Sequence, residues 1–119
     1  MLLERENRVI VHIDFPILII AVAKRNKILG KMECVIKEEV KGITISDITC
    51  EKNNKGYGSL MMEKLIEFAR GKQYDYIEGW LSKADCDHRE RLYYFYRKFG
   101  FEIISHDEGM KFADIKLYL

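Results

Sequence analysis

Proline, paired cysteine, long apolar runs and an excess of charge of either sign are all scarce in this sequence. One proline, Pro16, stands among 119 residues, beside eight glycines, so disordered, collagen-like and low-complexity classes are excluded. The three cysteines, Cys34, Cys50 and Cys86, are odd in number, form no C-x-x-C pair and come no nearer than sixteen positions. A disulfide framework or a structural zinc site needs closer ligands, and His12, His88 and His106 are equally scattered, so no metal is expected. Such thiols are expected to be reduced, in a cytoplasmic protein. The longest unbroken apolar run, Ile17 to Ala23, has seven residues, where a membrane helix needs about 20. Met1 to Arg8 mixes acids and bases where a signal peptide carries its apolar core. No membrane partner is expected. Twenty Lys and Arg against nineteen Asp and Glu leave a net charge of +1, which offers no global field for a phosphate backbone.

What is present is a composition 48% hydrophobic and 33% charged, enough to bury one core over a single domain, 1–119. The first half reads as strands. Val9, Val11 and Ile13 alternate with Ile10, His12 and Asp14, a period of two. Phe15-Pro16 breaks that segment, and Ile17 to Ala23 reads as a buried strand. Lys24 to Lys27 is a polar turn, Ile28 to Ile36 resumes the strand pattern, and Lys37 to Gly42 turns into Ile43 to Thr49. These segments make an antiparallel meander.

The second half changes period. From Ser59 to Arg70, Met61, Leu65, Phe68 and Ala69, flanked by Met62 and Ile66, follow helical spacing, and Gly71 is expected to stop the helix. Tyr74 to Leu81 returns to strand. Asp87 and Glu90 predict an N-terminal capping pair, and Leu92, Phe95, Tyr96 and Phe99 keep helical spacing until Gly100. Phe101 to Ile104 and Met110 to Leu119 close the chain as strands. The expected fold is an α/β mixed sheet with helices covering its faces.

The most informative stretch runs from Asp47 to Ser59, where a strand ends, polar residues turn, and Gly56 and Gly58 open an amphipathic helix. The first turn of a helix has unpaired amides and favours negative charge, and glycine lets a ligand's oxygens approach closely. A pyrophosphate cradle and a plain turn are both compatible with a Gly-x-Gly at this place. A P-loop is excluded, because the Gly-Lys-Ser/Thr ending is missing.

This stretch resembles motif A of the GNAT superfamily of acyl-CoA N-acyltransferases, Gln/Arg-x-x-Gly-x-Gly/Ala after the fourth strand. Lys27-Ile28-Leu29-Gly30 is similar to the family's hairpin into its third strand. Tyr96-Arg97-Lys98-Phe99-Gly100-Phe101 is similar to its closing Tyr-x-x-x-Gly-Phe. The resemblance runs from about Ile17 to the C-terminus. Two departures stand out. Asn53 takes the place of Gln or Arg, and Asn54 that of a common Gly. Asp14-Phe15-Pro16-Ile17 also leaves no room for the two lid helices between the family's first and second strands, so the acceptor side is expected to be open or completed by another subunit.

The resemblance implies a GNAT-like fold and an acetyl-CoA-dependent N-acetyltransferase acting directly on an amine acceptor. Pantetheine would lie along Asp47-Ile48-Thr49-Cys50, with the Ile48 amide polarising the thioester carbonyl. The amides of Asn53, Asn54, Lys55, Gly56, Tyr57, Gly58 and Ser59 would hold the pyrophosphate of acetyl-CoA. Tyr96 is the expected general acid, since a thiol with a pKa of about 8.5 leaves more easily when a phenol donates to its sulfur. Packing within the aromatic run Tyr93 to Tyr96 is the competing role. Glu78 and Asp47 are the candidate bases, beside a water relay. Cys50 reads as a small buried thiol, His88 as a helix-start residue, and Arg89, Arg91, Arg97 and Lys98 as a solvated face. Trp80 reads as core, with a substrate contact as its second reading. A non-catalytic module that binds CoA or a partner protein is the alternative. A nucleic-acid domain using the Arg- and Tyr-rich helix is a weaker one. The open acceptor side and an exposed sheet edge leave room for a homodimer.

Overall fold

Alternating β-branched residues build the first half into four strands: β1 (Arg8–Asp14), β2 (Ile17–Lys24), β3 (Lys27–Lys37) and β4 (Gly42–Cys50). The second half alternates helix and strand: α1 (Tyr57–Gly71), β5 (Tyr76–Ser82), α2 (Arg89–Lys98), β6 (Glu102–Glu108) and β7 (Lys111–Tyr118). The computed structural model describes residues 7–51 and 56–119. One seven-stranded sheet has the order β1-β2-β3-β4-β5-β7-β6. All pairings are antiparallel except β4 with β5.

Tight turns set the meander. Phe15-Pro16, joined by a cis peptide bond, closes the β1–β2 hairpin on the pair Asp14 and Ile17. Arg25, at φ 59°, turns β2 into β3. Between Glu33 and Cys34 the β3–β4 register shifts, so that Glu33 faces Asp47 while Cys34 faces Ile45. Ser46 is the extra residue of that bulge, which twists β4 at mid-length.

Both helices lie on one face, not on both as the sequence reading expects. The steps β4-α1-β5 and β5-α2-β6 cross the sheet in the same direction, and right-handed crossovers then place both helices on the same side. The contact between them agrees, for a Cβ on Gly58 of α1 would stand 3.3 Å from the Phe95 ring of α2. Under the helices Leu18, Ile20, Met32, Ile43, Met61, Met62, Leu65 and Ile77 are fully buried. The opposite face carries Lys31, Glu33, Thr44, Glu78 and Trp80, with no described helix over it.

Two helix ends depart from expectation. The helix α1 runs through Gly71, and its left-handed residue is Gln73, at φ 61°. Bonds from the Tyr74 amide to the Ala69 carbonyl (2.9 Å) and from Gln73 to Arg70 (3.0 Å) close that end. At α2, Gly100 takes the same role as expected, at φ 94°, with Phe101 bonded to Tyr96 (3.1 Å) and Gly100 to Arg97 (2.9 Å). The expected Asp87 cap is not formed. A 3-10 turn over Lys83–His88 feeds straight into the helix, His88 takes the cap position, and no side-chain bond caps it.

Candidate functional site

The site follows from how little β4 and β5 share. Their parallel ladder joins only Gly42 to Tyr76, Ile43 to Ile77 and Thr44 to Glu78. A Cβ on Gly79 would already stand 3.3 Å from the Ile45 carbonyl oxygen. Beyond that point the strands part, and the stretch from Ile45 to Cys50 keeps its ladder with β3 alone. Backbone groups on the free edge of β4 are left for a guest to pair with, as an added strand would.

A cleft of about 590 Å³ fills the gap. Ser46, Asp47, Ile48 and Cys50 form one wall and Gly79 to Ser82 the other. Gly56, Tyr57, Gly58 and Ser59 close one end, and Leu92, Phe95 and Tyr96 of α2 lie over it. The closing end is a helix start with no side-chain cap and no acid in its first turn. Gly56 stands at φ 80°, the left-handed conformation that glycine tolerates best. The first-turn amides of Tyr57, Gly58 and Ser59 therefore face the cleft with the positive end of the helix dipole and without a competing carboxylate. Gly58 also lets α1 approach the Phe95 ring, which brings the two helices to a common rim.

Tyr96 is buried, 6% exposed, and meets the rings of Phe95 (5.1 Å) and Phe101 (5.4 Å) edge-on. It also lines the cleft. Packing and cleft-lining thus coexist in one side chain.

The two candidate carboxylates are separated. Asp47 lines the cleft. Glu78 does not; it sits where the β4–β5 ladder is still closed, 3.3 Å from the Lys37 ammonium and 3.4 Å from the Thr44 hydroxyl. Ile48 and Cys50 reach the cleft, whereas Thr49 opposes Lys31 on the helix-free face and is not among its lining residues. Burial raises the Cys50 thiol pKa, which suits a packed thiol and not a thiolate nucleophile. Asn53, Asn54 and Lys55 lie outside the described residues.

Trp80 corrects the core reading. It is 46% exposed, lines the cleft, and has the Lys111 ammonium 5.4 Å above its ring. The signal was the strand period itself: Ile77 and Leu81 take the covered face, so Glu78 and Trp80 take the other. Leu92 and Phe95 were read only as helix spacing, yet they reach the cleft. Of the basic residues of α2, Arg97 lies 5.1 Å over Tyr93 and Lys98 6.0 Å over Tyr94 of the same helix, Arg89 lies 5.4 Å over Phe112 of β7, and Arg91 and Lys98 line the cleft.

The sequence motifs resemble those of the GNAT superfamily, and family comparison agrees. The model of the Acetyltransferase (GNAT) family matches residues 3–101. The chain belongs to the GNAT family. The match begins upstream of Ile17, where the motif resemblance begins, so it takes in the β1 hairpin as well.

Solved structures share the fold of this GNAT chain at low identity. The PaiA N-acetyltransferase of Thermoplasma acidophilum, in complex with coenzyme A, is 16% identical with a TM-score of 0.71, over 87% of this chain and 62% of that one. The ribosomal-protein-S18-alanine N-acetyltransferase of Escherichia coli is 13% identical with a TM-score of 0.72, over 89% and 71%. An uncharacterized Bacillus subtilis protein, YocC, is 38% identical over 77 residues, which cover 61% of this chain and 46% of that protein. The chain therefore spans about half the length of that curated relative. Among the described residues no helix is long and apolar enough to cross a membrane, and no three His, Cys, Asp or Glu residues gather to hold a metal.

Proposed function

We propose that this GNAT chain is an acetyl-CoA-dependent N-acetyltransferase that transfers the acetyl group directly to an amine. One observation carries the reading: the cleft between β4 and β5 runs from an uncapped helix start at Gly56 to a buried tyrosine, Tyr96. The bound coenzyme in the Thermoplasma neighbour supports the same choice of ligand. The amides of Tyr57, Gly58 and Ser59 meet the pyrophosphate, together with those of Asn53 to Lys55. Pantetheine runs along the free edge of β4 from Asp47 to Cys50, and the Ile48 amide polarises the thioester carbonyl.

The chemistry then needs three proton positions. An amine with a pKa of about 10.4 arrives as its ammonium and must lose a proton before it attacks. Asp47, in the cleft wall, accepts it directly or through water, and is preferred over Glu78. The neutral amine attacks the carbonyl carbon, and a tetrahedral oxyanion forms against the Ile48 amide. As the C–S bond breaks, the Tyr96 hydroxyl donates to the departing sulfur, leaving CoA thiol and the amide. The proton released from the amine nitrogen restores the tyrosine through solvent.

The uncovered face beside Trp80 favours a second reading, a GNAT-like module that binds CoA or a partner without turnover. Calorimetric titration with acetyl-CoA tests the first step, and no heat and no thermal shift at millimolar ligand would overturn both CoA readings. Tyr96→Phe separates them. In an enzyme it keeps affinity and lowers thiol release from acetyl-CoA about 10²-fold or more across a panel of amines. Tight binding by the wild type with no thiol release would favour the module.

A further inference from the structure

The free edge of β1 fits a second copy of the same edge. Among the described residues β1 pairs with β2 alone, through an unbroken ladder from Arg8 to Asp14. Among the described residues no strand lies outside it. Ile10, Val11 and Ile13 stay 38%, 37% and 47% exposed. Proteins usually blunt such an edge with proline, a bulge or inward charge, and β1 has none of these between its ends.

We propose that β1 is the seam of a homodimer, in which the β1 strands of two copies pair antiparallel about a twofold axis at Val11 and join the two sheets into one. The strand sequence, Arg-Val-Ile-Val-His-Ile-Asp, is complementary to itself under that operation. Arg8 of one copy faces Asp14 of the other, at both ends of the seam. Val9 faces Ile13, Ile10 faces His12, and Val11 faces Val11. Each pair joins residues of the same parity, so backbone groups that point outward meet outward-pointing partners and side chains keep their faces. Val9, Val11 and Ile13 then continue the apolar layer beneath α1, against which Val9 already packs. The Arg8 guanidinium donates to the Arg25 carbonyl at 2.5 Å. That bond steadies it at the edge and leaves other N–H donors for a carboxylate.

Neighbouring registers are worse. Sliding the copies by two residues one way sets Arg8 against His12 and carries Asp14 past the described residues of the other copy. Sliding them the other way sets Asp14 against Ile10. A slip of one turns apolar side chains toward the wrong face. The opposite edge, β6, is guarded. Its segment, Glu-Ile-Ile-Ser-His-Asp-Glu, is acidic, and its ladder with β7 shifts register between Ser105 and Glu108. The same twofold operation about Ser105 would bring two glutamate positions, 102 and 108, together. One edge closes on itself and the other repels its copy, so assembly stops at two.

Sedimentation equilibrium on the full chain, without any ligand, tests the seam independently of acetyl transfer. A dimer is expected, and Arg8→Asp or Asp14→Arg alone should weaken it roughly tenfold or more, because two cross-strand attractions become repulsions. The double variant should restore it, with circular dichroism confirming the fold of each. Mild oxidation of Val11→Cys should give a covalent dimer, since directly opposed Cα atoms lie about 4.5–5.5 Å apart, within disulfide reach. Ile13→Cys, which faces Val9, should not exceed the wild-type background. A chain that stays monomeric to about 0.1 mM, a dimer indifferent to both single charge reversals, a double variant that stays apart, or equal crosslinking through Ile13→Cys would each overturn the proposal.

Discussion

The two faces of the sheet are built by opposite rules. Beneath the helices, Leu18, Ile20, Val22, Met32, Ile43 and Ile77 are fully buried, and among the described residues no charged or polar side chain is buried with them. On the other face, Lys31 pairs with Glu33 (3.1 Å) and Lys37 with Glu78 (3.3 Å), and Lys116 lies 4.3 Å over Tyr76 and 5.0 Å over Tyr118. Lysine stems cover apolar rings there while their ammonium groups stay in water. Stability is therefore concentrated on one face, and the other is free to vary with what it meets. The β4–β5 gap is where the two connect, for its walls include Tyr96 from the covered side and Trp80 and Asp47 from the bare one.

The largest expected effect breaks the covered face. Leu65 is fully buried, at 0% accessibility in the middle of α1. Leu65→Ala should cost about 2–5 kcal/mol, the sum of lost transfer energy and the cavity left in a close-packed layer. Urea unfolding checks it. A loss below about 1 kcal/mol would mean that the layer collapses freely and that the contrast between faces is weaker than drawn.

A smaller effect is expected at the border of that layer. Tyr74 is 8% exposed, and its hydroxyl donates to the Glu38 carboxylate at 2.7 Å. Burial first, and then the Glu38 carboxylate, push its phenol pKa up from the ordinary 10.0 to about 12. The folded chain thus holds this proton more tightly than the unfolded one. Its contribution is complete below pH 10, declines as pH rises, and is gone above pH 12. Melting temperature should fall across that window. Tyr74→Phe should cost about 1–3 kcal/mol at neutral pH, through the bond lost from a charged acceptor, and should flatten the alkaline decline.

How much of this contrast could be read from residues alone depends on range. Period two in β1 and helical spacing at Met61, Leu65 and Ala69 are local, and they gave the elements. The Gly56–Gly58 turn and the Tyr96 to Phe101 ending are also local, and they gave the family. Helix ends were less legible, because the left-handed position at α1 fell to Gln73, two residues beyond the glycine that advertises it. A 3-10 turn before α2 displaced the expected Asp87 cap in the same way. The cleft was legible only through the family resemblance, which pointed to Asp47, Ile48, Cys50, Gly56 to Ser59 and Tyr96. It exists because a parallel ladder stops after Thr44 and Glu78, and no local pattern encodes where two strands cease to pair. That stop also separates Asp47 from Glu78, two carboxylates that look equivalent in the sequence. Trp80 was misread because a large aromatic suggests a core, whereas its strand parity assigns it to the bare face.

The smallest expected effect sharpens the comparison from the bare side. The Lys37 and Glu78 side chains are 46% and 31% exposed, so water and salt screen their attraction and ordering them costs entropy. Removing the pair should change stability by no more than about 1 kcal/mol, and 0.5 M salt should erase most of that. Glu78→Gln keeps the shape and still accepts from the Thr44 hydroxyl, so its melting temperature should nearly match the wild type. Turnover discriminates further. If Asp47 or water takes the acceptor's proton, Glu78→Gln leaves kcat and its pH profile in place, while Asp47→Asn shifts or lowers them. A collapse of kcat in Glu78→Gln without a change in melting temperature would move the base to the closed part of the ladder. The acceptor would then enter nearer to Thr44 than the cleft walls suggest, and the bare face would have to be redrawn as catalytic surface.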